Sequence, residues 1–138
     1  MIMVGDSIVL VRQRRGAEPY YLLPGGGVDA GETLGGALER EVAEETGLSV
    51  SPVRPLFIND TISPKGDRHL VNITFLTEVR GGEILAVPRD RAIEAVELVP
   101  IEMITTLDLR PAIGEEVRAA YRVGFDLPAA YLGPIWTP

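Results

Sequence analysis

The stretch that decides the fold is residues 26–48, which reads GGVDAGETLGGALEREVAEETGL. Its second half predicts a helix from Thr33 to Thr46, because Thr33 is a suitable N-cap and Gly47 a suitable left-handed residue at the carboxyl end. One side of the helical wheel, which should face the protein, carries Leu34, Ala37, Leu38 and Val42. The opposite side carries Gly35, Gly36, Glu39, Ala43 and Thr46. The sequence therefore predicts an amphipathic helix that follows a glycine-rich loop.

Three acidic residues fall on the apolar side of this helix. Glu41, Glu44 and Glu45 share that side because they stand at positions i, i+3 and i+4. Like charges at this spacing repel each other, and burial without a partner raises their pKa values. A divalent cation resolves the repulsion, since Mg²⁺ binds carboxylates together with water and phosphate oxygens. Arg40 can hold Glu44 in place from the flank. The alternative is an acidic, solvated helix face, which the apolar surroundings and the preceding glycine loop disfavour.

The same residues resemble the signature of the Nudix (MutT-related) hydrolase family, G-x5-E-x7-R-E-U-x-E-E-x-G-U, where U is aliphatic. Every fixed position agrees, from Gly26 and Glu32 through the segment 40–48. Residues 23–27, Leu-Pro-Gly-Gly-Gly, also resemble the family's entry from a strand into this loop. The resemblance implies a Nudix-type α/β/α sandwich with a mixed β-sheet, formed by one domain over residues 1–138. The pattern of strands and helices alone indicates only the α/β class.

The resemblance also implies a reaction, namely Mg²⁺- or Mn²⁺-dependent cleavage of the pyrophosphate bond in a nucleoside diphosphate linked to another moiety. A pyrophosphate repels an attacking hydroxide, so a site of this kind needs cations that neutralise charge and activate water. By position in the signature, the metal ligands would be Glu41, Glu44 and Glu45, with a backbone carbonyl of Gly25 or Gly26. Glu32 and Arg40 would orient those ligands. The general base is either Glu44 or Glu45, or else a glutamate from a later loop.

Candidate residues outside the helix carry weaker signals. Glu97 precedes Leu98 where many family members have an acidic residue before a tryptophan, so it is a candidate fourth metal ligand or base. Its alternatives are a solvent-facing strand residue, or Glu94 or Asp90 in its place. Gly25 and Gly27 allow the backbone to approach a metal or phosphate closely. Candidate phosphate-binding cations, which could equally be surface charges, are Arg12, Arg14, Arg15, Lys65 and Arg68. His69 is expected to be structural. Five aromatic residues could stack on a base, although core positions are more usual for them, namely Tyr20, Tyr21, Phe57, Phe75 and Trp136.

Composition limits the classes of protein that fit. Of the 138 residues 46% are hydrophobic, and no apolar run approaches the roughly 20 residues that a membrane span needs. The first six residues lack the basic start and cleavage site of a signal peptide. The absence of cysteine excludes disulfides and thiolate metal sites and favours a cytoplasmic location. A net charge of −7 argues against nucleic acid as a partner, no membrane partner is expected, and a homodimer is left open.

The remaining pattern predicts short strands and two further helices. The expected strands are Met1–Val4 and Ser7–Arg12 in a hairpin, Tyr20–Leu23, Val50–Ile58, His69–Val79, Glu83–Val87 and Val96–Val99. Pro52 and Pro55 should confine the fourth of these to an edge or an irregular stretch. A short helix should begin near Ile101 and a longer one should span Ile113–Val123. The tail Tyr131–Trp136 should be irregular.

The sequence indicates the type of reaction more clearly than the identity of the substrate. Pro64 lies sixteen residues after Leu48, a spacing that in this family accompanies ADP-ribose hydrolysis, so a small-molecule nucleotide such as ADP-ribose or another nucleotide sugar is favoured. The alternative is a (d)NTP pyrophosphohydrolase that removes oxidised or non-standard nucleotides. A binding or sensor module that does not cleave nucleotides would be expected to lack some of the carboxylates, and all are present. A diphosphate isomerase of this fold uses a cysteine, which this chain lacks.

Overall fold

Strands and helices alternate along residues 1–137, the part of the chain that the computed structural model describes. In chain order they are β1 Met3–Val4, β2 Ser7–Arg15, β3 Glu18–Leu22, α1 Leu34–Thr46, β4 Leu48–Ile62, β5 His69–Gly82, β6 Ala95–Pro100, a 3-10 helix Ile101–Thr106, α2 Gly114–Arg122 and β7 Ala130–Pro134. No helix within these residues is both long enough and apolar enough to cross a membrane.

The strands form two sheets. In the first, β2 pairs antiparallel with β1 and β3 along one edge and with β6 along the other. In the second, β4 lies between β5, which is antiparallel to it, and β7, which is parallel to it. The second sheet is therefore mixed, and the predicted α/β class is confirmed. The division of the strands between two sheets was not predicted.

Two clusters of buried side chains hold these layers together. The larger one joins Leu10 of β2 and Leu56 of β4 to the 3-10 helix and α2 through Ile104 and Val117, all of them without exposed surface. The smaller cluster fixes helix α1, because Val42 packs with Ile2 near the N-terminus and with residues of β2 and β4 that include Val9. Each fully buried side chain of this size contributes about 1.5–3 kcal/mol. Packing of Val42 therefore sets which face of α1 looks outward.

The ends of α1 confirm the prediction from capping residues. The Thr33 hydroxyl accepts a hydrogen bond from the Gly36 amide at 3.1 Å. At the other end Gly47 adopts φ 81°, and its amide donates to the Ala43 carbonyl at 3.0 Å. Both contacts are local, so the chain itself encodes them.

The wheel was wrong for two residues of α1. Thr46, expected on the outer side, is fully buried, because its hydroxyl donates to the Val42 carbonyl at 2.7 Å and accepts from the Leu48 amide at 3.1 Å. Leu34, expected inside, is 47% exposed in the first turn. Gly35 is explained by close packing, since a Cβ there would lie 3.2 Å from the Pro52 ring of β4.

Two expectations about strands need correction, and for β4 the irregular alternative is confirmed rather than the edge position. Residues 83–94 form a loop without regular structure, where Glu83–Val87 was expected to be a strand. The tail is not irregular, because residues 130–134 pair with β4 as β7 and the Ile135 amide donates to the Asp60 carbonyl at 2.7 Å. β4 is therefore a central strand, and its prolines are accommodated by register shifts at Pro52/Arg54 and Pro55/Phe57.

Candidate metal and substrate site

Arg40 connects the glycine loop to helix α1. Its guanidinium donates to both carboxylate oxygens of Glu32, at 2.9 and 3.0 Å, and to the Gly27 carbonyl at 3.2 Å. It also donates to Glu41 at 2.8 Å and lies 3.6 Å from the Glu44 carboxylate. The hydrogen bonds from Arg40 hold the pKa of Glu32 below its ordinary value. Arg40 therefore fixes the loop and orients the Glu41 carboxylate of the helix.

Glu41 lies directly against the glycine loop. A Cβ built on Gly26 would stand 2.5 Å from both carboxylate oxygens of Glu41, whereas a Cβ on Gly27 would meet nothing within 4 Å. Real Cβ atoms essentially never approach oxygen this closely, so only glycine at position 26 leaves room for this carboxylate.

Glu45 is half-buried at the end of the glycine loop. Its carboxylate accepts a hydrogen bond from the Gly25 amide at 3.0 Å. The pKa of Glu45 is raised to about 7, first by burial and then by the negative charges of Glu41, Asp90 and Glu44, while the hydrogen bond from the Gly25 amide works in the opposite direction. Arg40 therefore pairs with Glu41 and Glu44, while Glu45 itself has no cationic partner within 4 Å among residues 1–137 and carries the excess negative charge of this site. Asp90, which the sequence offered only as an alternative to Glu97, is one of the charges that act on Glu45.

The residues on this face suit a hard divalent cation in their chemistry. Glu41, Glu44 and Glu45 offer carboxylate oxygens beside the backbone oxygens of a glycine loop, and oxygen is the donor that Mg²⁺ and Mn²⁺ prefer. Within residues 1–137, however, no three histidine, cysteine or acidic side chains converge as a ready ligand set. Glu44 is 59% exposed at its side chain, and Glu41 is engaged by Arg40. The residues therefore fit a divalent cation through the type of their donor atoms and their excess negative charge.

A cleft of about 480 Å³ opens beside Glu45 and Gly25. A drug-sized ligand occupies a cleft of this volume. Its polar and aromatic lining comprises Gln13, Arg15, Tyr20, Thr61, Arg68, Asn72, Arg110, Trp136 and Thr137. The Arg110 guanidinium lies 4.4 Å from the centre of the Tyr20 ring and donates to Asp108 at 2.6 Å. A second hollow, lined by the glycine loop and β5, shares Gly25, Arg68 and Asn72 with the cleft.

Two predicted phosphate-binding arginines do not enter this cleft. Val11, Gln13 and Arg15 line it, and side chains alternate along a strand, so Arg12 and Arg14 point to the other face of the sheet. There Arg14 bonds Glu94 at 2.8 Å. The sequence could not predict which arginines of β2 face the cleft, because those at the end of the strand carry the same charge on both faces of the sheet.

Glu97 is also not brought together with the helix carboxylates. Its carboxylate accepts from Arg12 at 2.5 Å across the β2–β6 pairing, in which Glu97 lies opposite Leu10. The structure instead brings Glu32, Arg40, Glu41 and Glu45 together with Gly25, Gly26 and Gly27. Sequence reasoning missed Gln13 and Arg110, and it treated Asn72 only as a strand residue. Only their alternation with cleft-lining neighbours could have identified them.

The space at Gly26 gives a prediction for this site. Gly26→Ala should lower turnover about tenfold or more, because the new methyl group displaces the Glu41 carboxylate while the flexible side chain lets the fold persist. The measurement is steady-state kinetics together with thermal unfolding. Gly27→Ala is the matched control and should keep full turnover. Equal effects of the two substitutions would show that the position of Glu41 does not matter.

Comparisons with known proteins agree with one family. The family model described as NUDIX domain matches residues 1–120. The chain is 36% identical over 90 residues to an ADP-ribose pyrophosphatase of Methanocaldococcus jannaschii, which covers 62% of this chain and 52% of that protein. It is 32% identical over 127 residues to the NAD-capped RNA hydrolase NudC of Stutzerimonas stutzeri, which covers 90% of this chain and 44% of that protein. The match thus spans about half the length of these relatives.

A solved structure agrees with the fold. A NUDIX hydrolase from Nitrosomonas europaea superposes with a TM-score of 0.74 at 25% identity, covering 89% of this chain and 84% of that chain. The two sheets and the helix that carries the three glutamates therefore belong to an architecture already seen in solved structures.

Proposed function

The chain belongs to the Nudix family, and on that premise we propose that it hydrolyses the pyrophosphate bond of a nucleoside diphosphate linked to another moiety. ADP-ribose or another nucleotide sugar is the favoured substrate, as the names of the similar proteins also suggest. The observation that carries the proposal is the pairing of excess negative charge at Glu45 with the cleft that Glu45 lines. A cation-dependent reaction on an anionic ligand uses both features.

Each residue of the site then has a role. Glu41, Glu44 and Glu45, with the Gly26 carbonyl, would hold Mg²⁺ or Mn²⁺, and Arg40 and Glu32 would keep Glu41 in position. The cation supplies charge neutralisation and an acidified water when it is bound. Glu45 is the proposed base because it lines the cleft, whereas the side chain of Glu44 is 59% exposed. The Gly25 amide keeps the Glu45 carboxylate directed at the loop.

We assign phosphate binding to an arginine that lines the cleft. The guanidinium group of Arg68 forms no ion pair within 4 Å among residues 1–137, and Arg68 lines both the cleft and the hollow at the glycine loop, so it is available to an anionic ligand. Arginine suits this role, since its planar group can bind two phosphate oxygens at once. Arg12 and Arg14, bound to glutamates on the other face, are not needed for it.

This assignment gives a second prediction. Arg68→Ala should raise KM about tenfold, equivalent to about 1.4 kcal/mol, and leave kcat nearly unchanged, because it removes binding rather than chemistry. Arg14→Ala, which removes an exposed ion pair, is the control and should change neither constant. A large fall in kcat for the Arg68 variant, with KM unchanged, would contradict the phosphate-binding role.

A substrate panel tests the proposal as a whole. Purified protein with Mg²⁺ or Mn²⁺ is incubated with ADP-ribose, nucleotide sugars, diadenosine polyphosphates and ordinary and oxidised (d)NTPs, and the products are separated. Cleavage concentrated on ADP-ribose or nucleotide sugars supports the proposal. Cleavage confined to (d)NTPs supports the alternative, and tight binding without cleavage supports a sensor. The cytoplasmic location, the single domain over residues 1–138 and the homodimer stay predictions.

A further inference from the structure

We infer that Gln13, Asn72 and Trp136 form the part of the cleft that selects the nucleobase. Gln13 and Asn72 bind the edge of the base and Trp136 offers a surface for its face. The inference rests on the proposed function for the identity of the ligand as a nucleotide. It concerns residues outside the signature helix, from β2, from β5 and from the segment that follows β7.

Tyr20 fixes which end of the Gln13 amide faces the cleft. The Tyr20 hydroxyl donates to Gln13 Oε1 at 2.6 Å across the β2–β3 pairing, in which the two residues are direct partners. Because this bond occupies the oxygen, the Nε2 group is left to donate. Both residues line the cleft, so Gln13 presents a hydrogen-bond donor to a ligand there.

In Asn72 it is the amino group of the side chain that is bonded within the protein, by Thr61 of the adjacent strand β4. Its Nδ2 donates to the Thr61 hydroxyl at 2.8 Å, which leaves Oδ1 as an acceptor at the cleft wall. The free acceptor of Asn72 and the free donor of Gln13 thus come from two different sheets and line one cleft.

Gln13 lies further along β2 than the residues that pack against helix α1. Val9 packs in the same cluster as Val42 of α1, and β2 then carries Val11, Gln13 and Arg15 successively into the cleft. At about 3.3 Å per residue, Gln13 lies roughly 13 Å beyond Val9 along the strand. Gln13 and Glu45 line the same cleft, so a nucleoside 5′-phosphate bound there can place its base at Gln13 and its phosphate towards Glu45.

Trp136 completes the region as an aromatic surface. It lines the cleft with 38% of its surface exposed, and no other aromatic ring of residues 1–137 pairs with it. Tyr20, in contrast, already has Arg110 over its ring. Stacking of a base on an aromatic side chain contributes about 1–3 kcal/mol. An exposed indole beside a fixed donor and a fixed acceptor matches the face and the edge of a nucleobase.

The preference for one nucleobase can be tested at position 13, because Gln13→Glu replaces the donor group Nε2 by an acceptor oxygen. A donor from Gln13 and an acceptor from Asn72 within one cleft fit adenine, which offers the N1 acceptor beside the N6 amino group. In Gln13→Glu the Tyr20 hydroxyl can still donate to one oxygen, but the cleft now presents two acceptors. Two acceptors fit guanine, whose N1–H and N2 amino group are adjacent donors, and they repel N1 of adenine. The substitution should therefore move preference from adenine towards guanine.

The experiment uses Trp136, the only tryptophan of the chain, as its reporter. AMP and GMP are titrated into the whole protein in EDTA while tryptophan fluorescence is followed, so that no turnover is needed. We expect AMP to quench the signal and the ratio of AMP to GMP affinity to fall at least tenfold in Gln13→Glu. Asn72→Asp, which keeps the acceptor, should retain AMP binding, whereas Asn72→Leu should weaken it. Thermal unfolding checks that each variant is folded.

Two outcomes overturn the inference. One is an unchanged affinity ratio in folded Gln13→Glu, and the other is calorimetric binding of AMP with no change in Trp136 fluorescence. Both are independent of catalysis. Base-dependent binding without hydrolysis of any substrate would leave this inference standing and overturn the proposed function, so the two failures can be distinguished.

Discussion

Glu45→Gln is expected to reduce metal-dependent turnover by about 10²–10⁴-fold, the range typical for the loss of a general base. The amide keeps the shape of the side chain and can still accept the hydrogen bond from the Gly25 amide. It cannot accept a proton from water, and it is a poor ligand for a hard cation. Steady-state kinetics at saturating Mg²⁺ and substrate measure the effect.

The same substitution should not destabilise the metal-free protein. Because the pKa of Glu45 in the fold, about 7, exceeds its ordinary value of 4.5, the folded state binds more protons than the unfolded state between these pH values. The stability contributed by Glu45 is thus present below pH 4.5 and is lost as pH rises to about 7. Above pH 7 in EDTA, Glu45→Gln should unfold at the same temperature as the wild type or higher.

Glu39→Gln is the matched control for this result. Glu39 lies on the exposed side of the same helix, and its substitution should leave turnover and unfolding nearly unchanged. If Glu45→Gln kept full metal-dependent turnover, the assignment of Glu45 would be wrong. A large fall in its unfolding temperature above pH 7 would contradict the account of its buried charge.

The second large effect is expected at Arg40. Arg40→Gln should lower turnover by roughly 10–100-fold and raise the Mg²⁺ concentration needed for half-maximal activity, because Glu32, Glu41 and the Gly27 carbonyl all lose a donor. A titration of turnover against Mg²⁺ separates this positioning role from a general loss of fold, which would lower the maximum without shifting the midpoint.

Arg40→Lys tests whether the shape of the guanidinium matters as well as its charge. A lysine cannot bind both oxygens of Glu32 and also reach Glu41, so it should recover only part of the loss. Arg122→Gln on α2 removes an exposed ion pair with Glu102 of the 3-10 helix and should leave turnover unchanged. If Arg40→Gln showed normal turnover at ordinary Mg²⁺ concentrations, the loop would not need Arg40 as its connection to the helix.

The sequence predicted what local rules determine. The ends of α1 follow from Thr33 and Gly47, and one stretch of chain carries both the glycine loop and the three glutamates. The family signature then gave the fold class without reference to the rest of the chain. These features were predictable because their partners lie within a few turns of each other in sequence.

What the sequence missed depends on pairing between distant segments. Pairing of β7 with β4 is parallel and carries few bonds, so the composition of the tail did not reveal it. The same pairing leads the chain to Trp136 and the cleft. Arg12 and Arg15 look alike in sequence, yet strand alternation sends one to Glu97 and the other to the cleft. Charge alone could not distinguish them.

The most direct test of the account compares turnover of ADP-ribose by the wild-type protein with Mg²⁺ and with excess EDTA, with products identified by chromatography. The account predicts AMP and ribose 5-phosphate in equal amounts with Mg²⁺, and no products in EDTA. Equal rates in Mg²⁺ and EDTA would contradict the role given to Glu41, Glu44 and Glu45. Products other than AMP and ribose 5-phosphate would contradict cleavage at the pyrophosphate bond.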